Sequence, residues 1–250
     1  MEAPPVAIGC LGVILFAGGA CTKNTLDLFD PDLGLLGHWA LDESQPGSTA
    51  VDSSVFADPG RPSNNPPIPT QDTPPVHFRD PYSLSFNGQD QWIDLGNPPL
   101  LNNGGPASVS AWIRATAIDG LRDIIAHGYS SSPAYDFALR IESGTYVFTM
   151  WDGINDHWAV TSIPSDDVGK WVHLCGVFDG TAYYLYRNGA LAAMTADATA
   201  PQPNVDVAWA IGAHPLTSTT ADRQFEGEID DVRFYGRPLL AAEVDELYRR

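Results

Sequence analysis

The sequence predicts an all-β fold: two packed antiparallel sheets with a short C-terminal helix. Three observations predict it. From His38 onward, about a dozen short apolar runs, several alternating with period two, are broken by Gly, Pro, Asn and Asp. Two of the breaks, Ser143-Gly144 and Asn188-Gly189, are hairpin signals. No helical period occurs before Leu240 to Tyr248, where Val244, Leu247 and Tyr248 make an apolar stripe. So many short strands in one domain close as two sheets over one core.

The N-terminal stretch reads differently. Val6 to Ala20 is apolar and rich in small residues. It is short for a bilayer span, which takes roughly 20 residues, and suits the apolar part of an export signal. Gly18-Gly19-Ala20 is a small-residue cleavage site ahead of Cys21. The Gly-Gly-Ala-Cys run resembles a bacterial lipobox, which makes Cys21 a candidate for lipidation. Gly18 stands where Leu is usual, and Met-Glu-Ala-Pro-Pro carries no positive charge. Residues 1–21 are therefore expected to be a signal peptide or lipoprotein-type leader, 22–36 a linker, and 37–250 a single domain.

Within that domain the first strand pattern is His38 to Leu41. Asp52 to Pro75 is rich in Pro, Ser, Asn and Asp and reads as surface loop. Ser83 to Phe86 alternates cleanly, and Gln91 to Leu95 follows an Asn-Gly turn. Ser108 to Arg114 and Asp123 to Ala126 come next. Phe137 to Ile141 and Tyr146 to Met150 flank Ser143-Gly144. Trp171 to Phe178, Ala182 to Tyr186 and Leu191 to Met194 form the next series. Ala208 to Ile211 and Phe225 to Tyr235 complete the set.

Hydrophobic residues make up 44% of the chain and aromatics 10%, enough for a full core. The net charge is −18, which argues against nucleic acid and anionic membranes as partners. The only membrane contact expected is through the possible lipid anchor. Cys10, Cys21 and Cys175 show no CxxC spacing, so no structural zinc is signalled. Cys175 lies in an apolar strand and reads as a free, buried thiol, with a Cys21–Cys175 disulfide as the alternative. The six histidines have no HExxH or HxH spacing, and each reads as a surface or half-buried strand residue.

Two adjacent acids, Asp230 and Asp231, interrupt an otherwise apolar last strand. Alternation puts Asp230 on one face with Val232 and Phe234, the expected inner face. A carboxylate there needs a partner or a metal.

Five stretches, taken in order, resemble the laminin-G-like, concanavalin A-like jelly-roll family. They are Gly37 to Glu43, Leu84 to Gly96, Ser108 to Ile113, Lys170 to Gly180 with Leu185 to Gly189, and Gly227 to Tyr235. The resemblance implies a jelly-roll sandwich and a function that is more often binding than catalysis. It also implies that the first and last strands are neighbours, bringing Asp42 near Asp230. Such a pair, with backbone carbonyls, would suit a structural Ca²⁺; capping of turns, or pairing with Arg233 or Arg237, is the alternative.

Concanavalin A-like glycosidases of the laminarinase type carry two glutamates on one strand. Here Glu228-Ile229-Asp230 matches the first half, but Val232 and Arg233 stand where the second glutamate belongs. A non-catalytic module is therefore expected. Tyr129, Tyr135, Trp151 and Trp158 could stack on sugar rings, with Asp152, Asn155 and Asp156 bonding hydroxyls; the alternative is that these rings cover the core edge. The expected partner is carbohydrate or an extracellular protein, and the expected location secreted or cell-envelope. A divergent glycoside hydrolase remains the third reading.

Overall fold

The computed structural model describes residues 30–128, 137–203, 207–217 and 219–250. Tyr129, Tyr135 and Cys21 lie outside them. Pro31–Arg250 forms one compact unit. Its strands in chain order are β1 (Leu35–Trp39), β2 (Arg61–Pro62), β3 (Ile68–Thr70), β4 (Ser83–Asn87), β5 (Ile93–Gly96), β6 (Ala107–Ala115), β7 (Leu121–His127), β8 (Phe137–Glu142), β9 (Thr145–Trp151), β10 (Asp156–Ser162), β11 (Val172–Phe178), β12 (Ala182–Arg187), β13 (Ala190–Ala196), β14 (Trp209–Ile211), β15 (His214–Pro215), β16 (Ala221–Asp222) and β17 (Glu226–Tyr235). The helix α1 (Ala241–Arg249) follows.

The first sheet runs β13-β12-β11-β6-β17-β4-β3, with β1 also paired to β17; the second runs β10-β9-β8-β7-β14-β5-β2. β15 and β16 form a small hairpin of their own. Alternation along the strands builds the core. Ala111 and Ile113 of β6, Leu174 of β11 and Phe234 of β17 share one cluster with Leu139 of β8, Phe148 of β9 and Ile211 of β14. At Gly176 the sheets come close: a Cβ there would stand 2.2 Å from Phe148 Cδ2.

The two outer faces differ. On the first sheet Trp112 and His173 alternate with core residues and are covered by α1, whose Tyr248 ring lies 5.6 Å from Trp112 and 6.3 Å from His173. Val244 and Leu247 of the helix are buried as its stripe predicts. Glu243 holds the helix start by accepting the Leu240 N–H at 2.7 Å. On the second sheet, the outer face of β10 is open: Trp158 is 48% accessible and Val160 42%.

Both hairpin signals form turns with two left-handed residues, Ser143-Gly144 and Asn188-Gly189, the pairing that matches strand twist. Some expectations are corrected. The folded unit starts before Gly37, because Leu35 is buried and opens β1, and Leu36 packs against the core. Leu41 is not in the strand; it turns to φ 59 and is buried. The Asp52 to Pro75 stretch contributes β2 and β3. His127, His173 and His214 are fully buried rather than half-buried, and burial pushes the His173 imidazole down to about 4. Cys175 is a free, fully buried thiol, its pKa raised by that burial.

Candidate functional site

Two places in the sandwich gather polar chemistry. The first is β17, which changes partner along one edge. β4 pairs with Glu226 to Ile229, and β1 pairs with Val232 to Tyr235. On the other edge β6 runs alongside, and the register slips between Asp230 and Arg233, which face Trp112 and Ser110. One residue of β17 is extra there. This bulge holds Asp231 at φ 45 and breaks the strict alternation. Ile229, Val232 and Phe234 therefore enter the core. Asp230 does not share their face; it lies opposite Trp112, on the side α1 covers.

Asp42 comes to the same place from the end of β1, after the left-handed Leu41. Its carboxylate accepts the Tyr82 N–H at 3.3 Å. Asp80, just ahead of β4, is the third acid, within hydrogen-bonding contact of Asp230 and of Asp42 when a proton is shared. Burial, then the charge of Asp42, pushes Asp80 up to about 7. Burial, then Asp80, raises Asp230 well above the usual carboxylate range. Oδ2 of Asp80 and Oδ2 of Asp230 are buried without a hydrogen-bond partner. Sequence reasoning brought Asp42 and Asp230 together and missed Asp80, which no spacing or motif marks.

The arginines weighed as alternative partners are engaged elsewhere. Arg233 donates to Asp231 from Nε at 3.1 Å and Nη2 at 2.9 Å; Arg237 holds Glu243. Against the opposing effect of burial, Arg233 and His38 keep the Asp231 carboxyl well below its ordinary range. Orphaned, oxygen-only donors fit a hard cation rather than a soft one. Among the described residues, no three His, Cys, Asp or Glu side chains form a ready metal cage. A cation would thus rest on a pair of these carboxylates plus other oxygens.

His38 also lies 2.6 Å from Asp231 Oδ1 through Nε2 and 2.8 Å from Ser53 Oγ through Nδ1. This has the connectivity of a Ser–His–acid relay. Its acid, however, is already neutralised by Arg233, and the serine hydroxyl is also 3.2 Å from the His38 carbonyl.

The second place is the open outer face of β8, β9 and β10. A groove of about 460 Å³ is lined there by Arg140, Glu142, Thr145, Val147, Trp158 and Val160, with Asp156 at one end. The strand registers set these residues side by side: Val160 faces Val147, which faces Arg140, while Trp158 faces Thr149. Arg140 donates to Glu142 Oε2 from Nε at 3.1 Å and from Nη2 at 2.7 Å.

Of the sequence-predicted ligand residues, Asp156 and Trp158 line this groove. Trp151 is on the same face, in register with Asp156, and is half-buried. Asp152 is spent on its own turn, accepting the Ile154 N–H at 2.7 Å and the Asn155 N–H at 2.6 Å. Its other oxygen lies 3.0 Å from His157 Nε2, and His157 Nδ1 is 2.5 Å from Asp197 Oδ2. Asn155 is in that turn and is not part of the groove lining. The missed residues, Arg140 and Glu142, had one signal, the alternating charges of Phe-Ala-Leu-Arg-Ile-Glu on β8.

A search of curated protein sequences finds no match. Solved structures share the fold. Domain 4 of AbnA, a GH43 extracellular arabinanase from Geobacillus stearothermophilus, was solved in complex with arabinotriose; it is 19% identical, with a TM-score of 0.58 over 86% of this chain and 98% of that one. The botulinum neurotoxin serotype D binding domain is 15% identical, with a TM-score of 0.63 over 87% of this chain and 52% of that one. The binding domain of botulinum neurotoxin DC, in complex with SialylT, is 15% identical, with a TM-score of 0.63 over 88% and 52%. This chain thus spans about half the length of each toxin domain. Residues 87–245, from the end of β4 through most of α1, match the family model described as concanavalin A-like lectin/glucanases. With most strands of each sheet, the bulged last strand and more than half of the chain inside that match, the protein belongs to the concanavalin A-like lectin/glucanases superfamily.

Proposed function

We propose that this chain is an exported, cell-envelope or secreted binding module for carbohydrate that carries out no catalysis itself. The observation that carries the reading is the groove on the outer face of β8–β10, where a half-exposed Trp158 lies beside carboxylates and a guanidinium. A flat aromatic surface covers the apolar face of a sugar ring, and flanking polar groups fix its hydroxyls. The arabinotriose complex of the AbnA domain and the SialylT complex of the toxin domain are consistent with that ligand class. The missing second glutamate on β17 favours binding without hydrolysis. A pair of carboxylates from Asp42, Asp80 and Asp230, with other oxygens, would hold a structural Ca²⁺ beside β17; the ion would neutralise acids that otherwise repel.

A glycan array followed by calorimetry with wild type and Trp158→Ala tests the proposal. Binding lost in the variant, with no reducing sugar released by the wild type, is the expected result. No glycan bound by the wild type would reject it. The runner-up is a protein-interaction module, favoured by β13. This edge strand, Ala-Leu-Ala-Ala-Met-Thr-Ala, has no charge and exposes Leu191 and Met194, an edge of the kind that accepts an added strand.

A further inference from the structure

We infer that the groove over β8–β10 selects uncharged glycans and turns away acidic ones; the inference rests on the carbohydrate reading above. Along β10 the outer-face residues Asp156, Trp158 and Val160 extend over ~13 Å, four residue steps. The middle is apolar: Trp158 and Val160 are roughly half exposed, with Val147 beside Val160 on β9. Carboxylates stand at both ends. Asp156 precedes Trp158 on the same face, and Glu142 lies two strands over from Ser162, across Thr145. The Arg140 guanidinium between them is turned to Glu142 by two of its nitrogens.

A carboxylate accepts hydrogen bonds and donates none when ionised. The two ends of the groove therefore suit the O–H donors of a neutral oligosaccharide. Arg140 offsets one of the two carboxylates, so the groove keeps a single negative charge in excess, and a uronate or sulfate laid along the same path would meet that like charge. The chain as a whole, at −18, adds a field of the same sign. The geometry thus separates glycans by charge before it separates them by stereochemistry.

The test uses a panel of neutral polysaccharides, each prepared as its hydroxyethyl and its carboxymethyl derivative, so that a pair shares its backbone and differs in charge. Affinity is measured at about 20 and about 300 mM salt, where the screening length falls from roughly 20 to roughly 6 Å. For any backbone that binds, the carboxymethyl form is expected to bind at least tenfold more weakly at low salt, with the gap narrowing at high salt. The Glu142→Gln, Asp156→Asn double variant should narrow the low-salt gap at least threefold. Trp158→Ala should weaken both forms together. Equal or tighter binding of the carboxymethyl form overturns the inference, and so does a gap that the double variant leaves unchanged. Those outcomes leave the carbohydrate module standing. If no backbone binds in either form, the module reading itself fails and the inference falls with it.

Discussion

His157 offers a prediction whose sign and size both come from the structure. Its two ring nitrogens face two carboxylates, Asp152 at 3.0 Å and Asp197 at 2.5 Å. A neutral imidazole has one N–H, so only the imidazolium donates to both. Burial works against that charge, but the two acids outweigh it and raise the pKa above 6.5. The acids respond in kind: Asp197 is lowered to about 2, first by its bonds to Thr199 and then by His157. Tyr183, whose ring stacks on His157 at 6.2 Å, is the other titratable neighbour, and its own pKa is raised. Because the folded-state pKa of His157 exceeds the unfolded value, the clamp stabilises fully below about pH 6.5 and is lost as pH rises through the folded pKa.

A charged hydrogen bond is worth about 1.5–3 kcal/mol when buried; discounted for solvent screening, the bond to Asp197 gives about 1–2 kcal/mol. For a domain of this size that is roughly 2–8 °C in Tm. The perturbation is His157→Gln, read by calorimetry at pH 5.5 and 8.5. The wild type should lead the variant by that margin at pH 5.5, and the lead should shrink at pH 8.5. An equal gap at both pH values would refute the reasoning, since packing alone would then explain it.

Calcium should raise the melting temperature of the wild type and leave Asp230→Ala unmoved; identical melting in excess calcium and in chelator would remove the cation from the account. Gly176→Ala should destabilise by about 1–3 kcal/mol, because its methyl group would collide with Phe148; chemical denaturation at unchanged m-value measures it. Cys175 should resist thiol reagents in the native protein and react after unfolding. A fluorophosphonate probe should leave Ser53 unlabelled, and stoichiometric labelling would falsify the non-catalytic reading.

Much of the fold was legible because burial writes itself into alternation. β8, β9 and β11 carry inward apolar residues on one face, Ser-Gly turns β8 into β9, and Asn-Gly turns β12 into β13. β10 was not legible: only Ala159 points into the core, while Trp158 and Val160 face outward. An edge strand that shows its apolar side to solvent gives the wrong phase. The carboxylate cluster was half legible. A jelly-roll resemblance puts the first and last strands side by side, hence Asp42 near Asp230. The bulge that turns Asp230 away from Val232 adds one residue to the count, and period-two reasoning cannot see it. Asp80 arrives through tertiary contact alone. Asp152 shows the reverse error, since an acid in a loop next to tryptophans looks available until its turn and His157 claim both oxygens.

The unequal covering of the two sheets bears on how the molecule can be held. β1, by which the chain enters the folded unit, belongs to the first sheet, and α1, by which it ends, lies on that sheet's outer face. The groove opens on the far side, across the full thickness of the sandwich. A support that grips the helix-covered face would therefore leave Trp158 facing away from it.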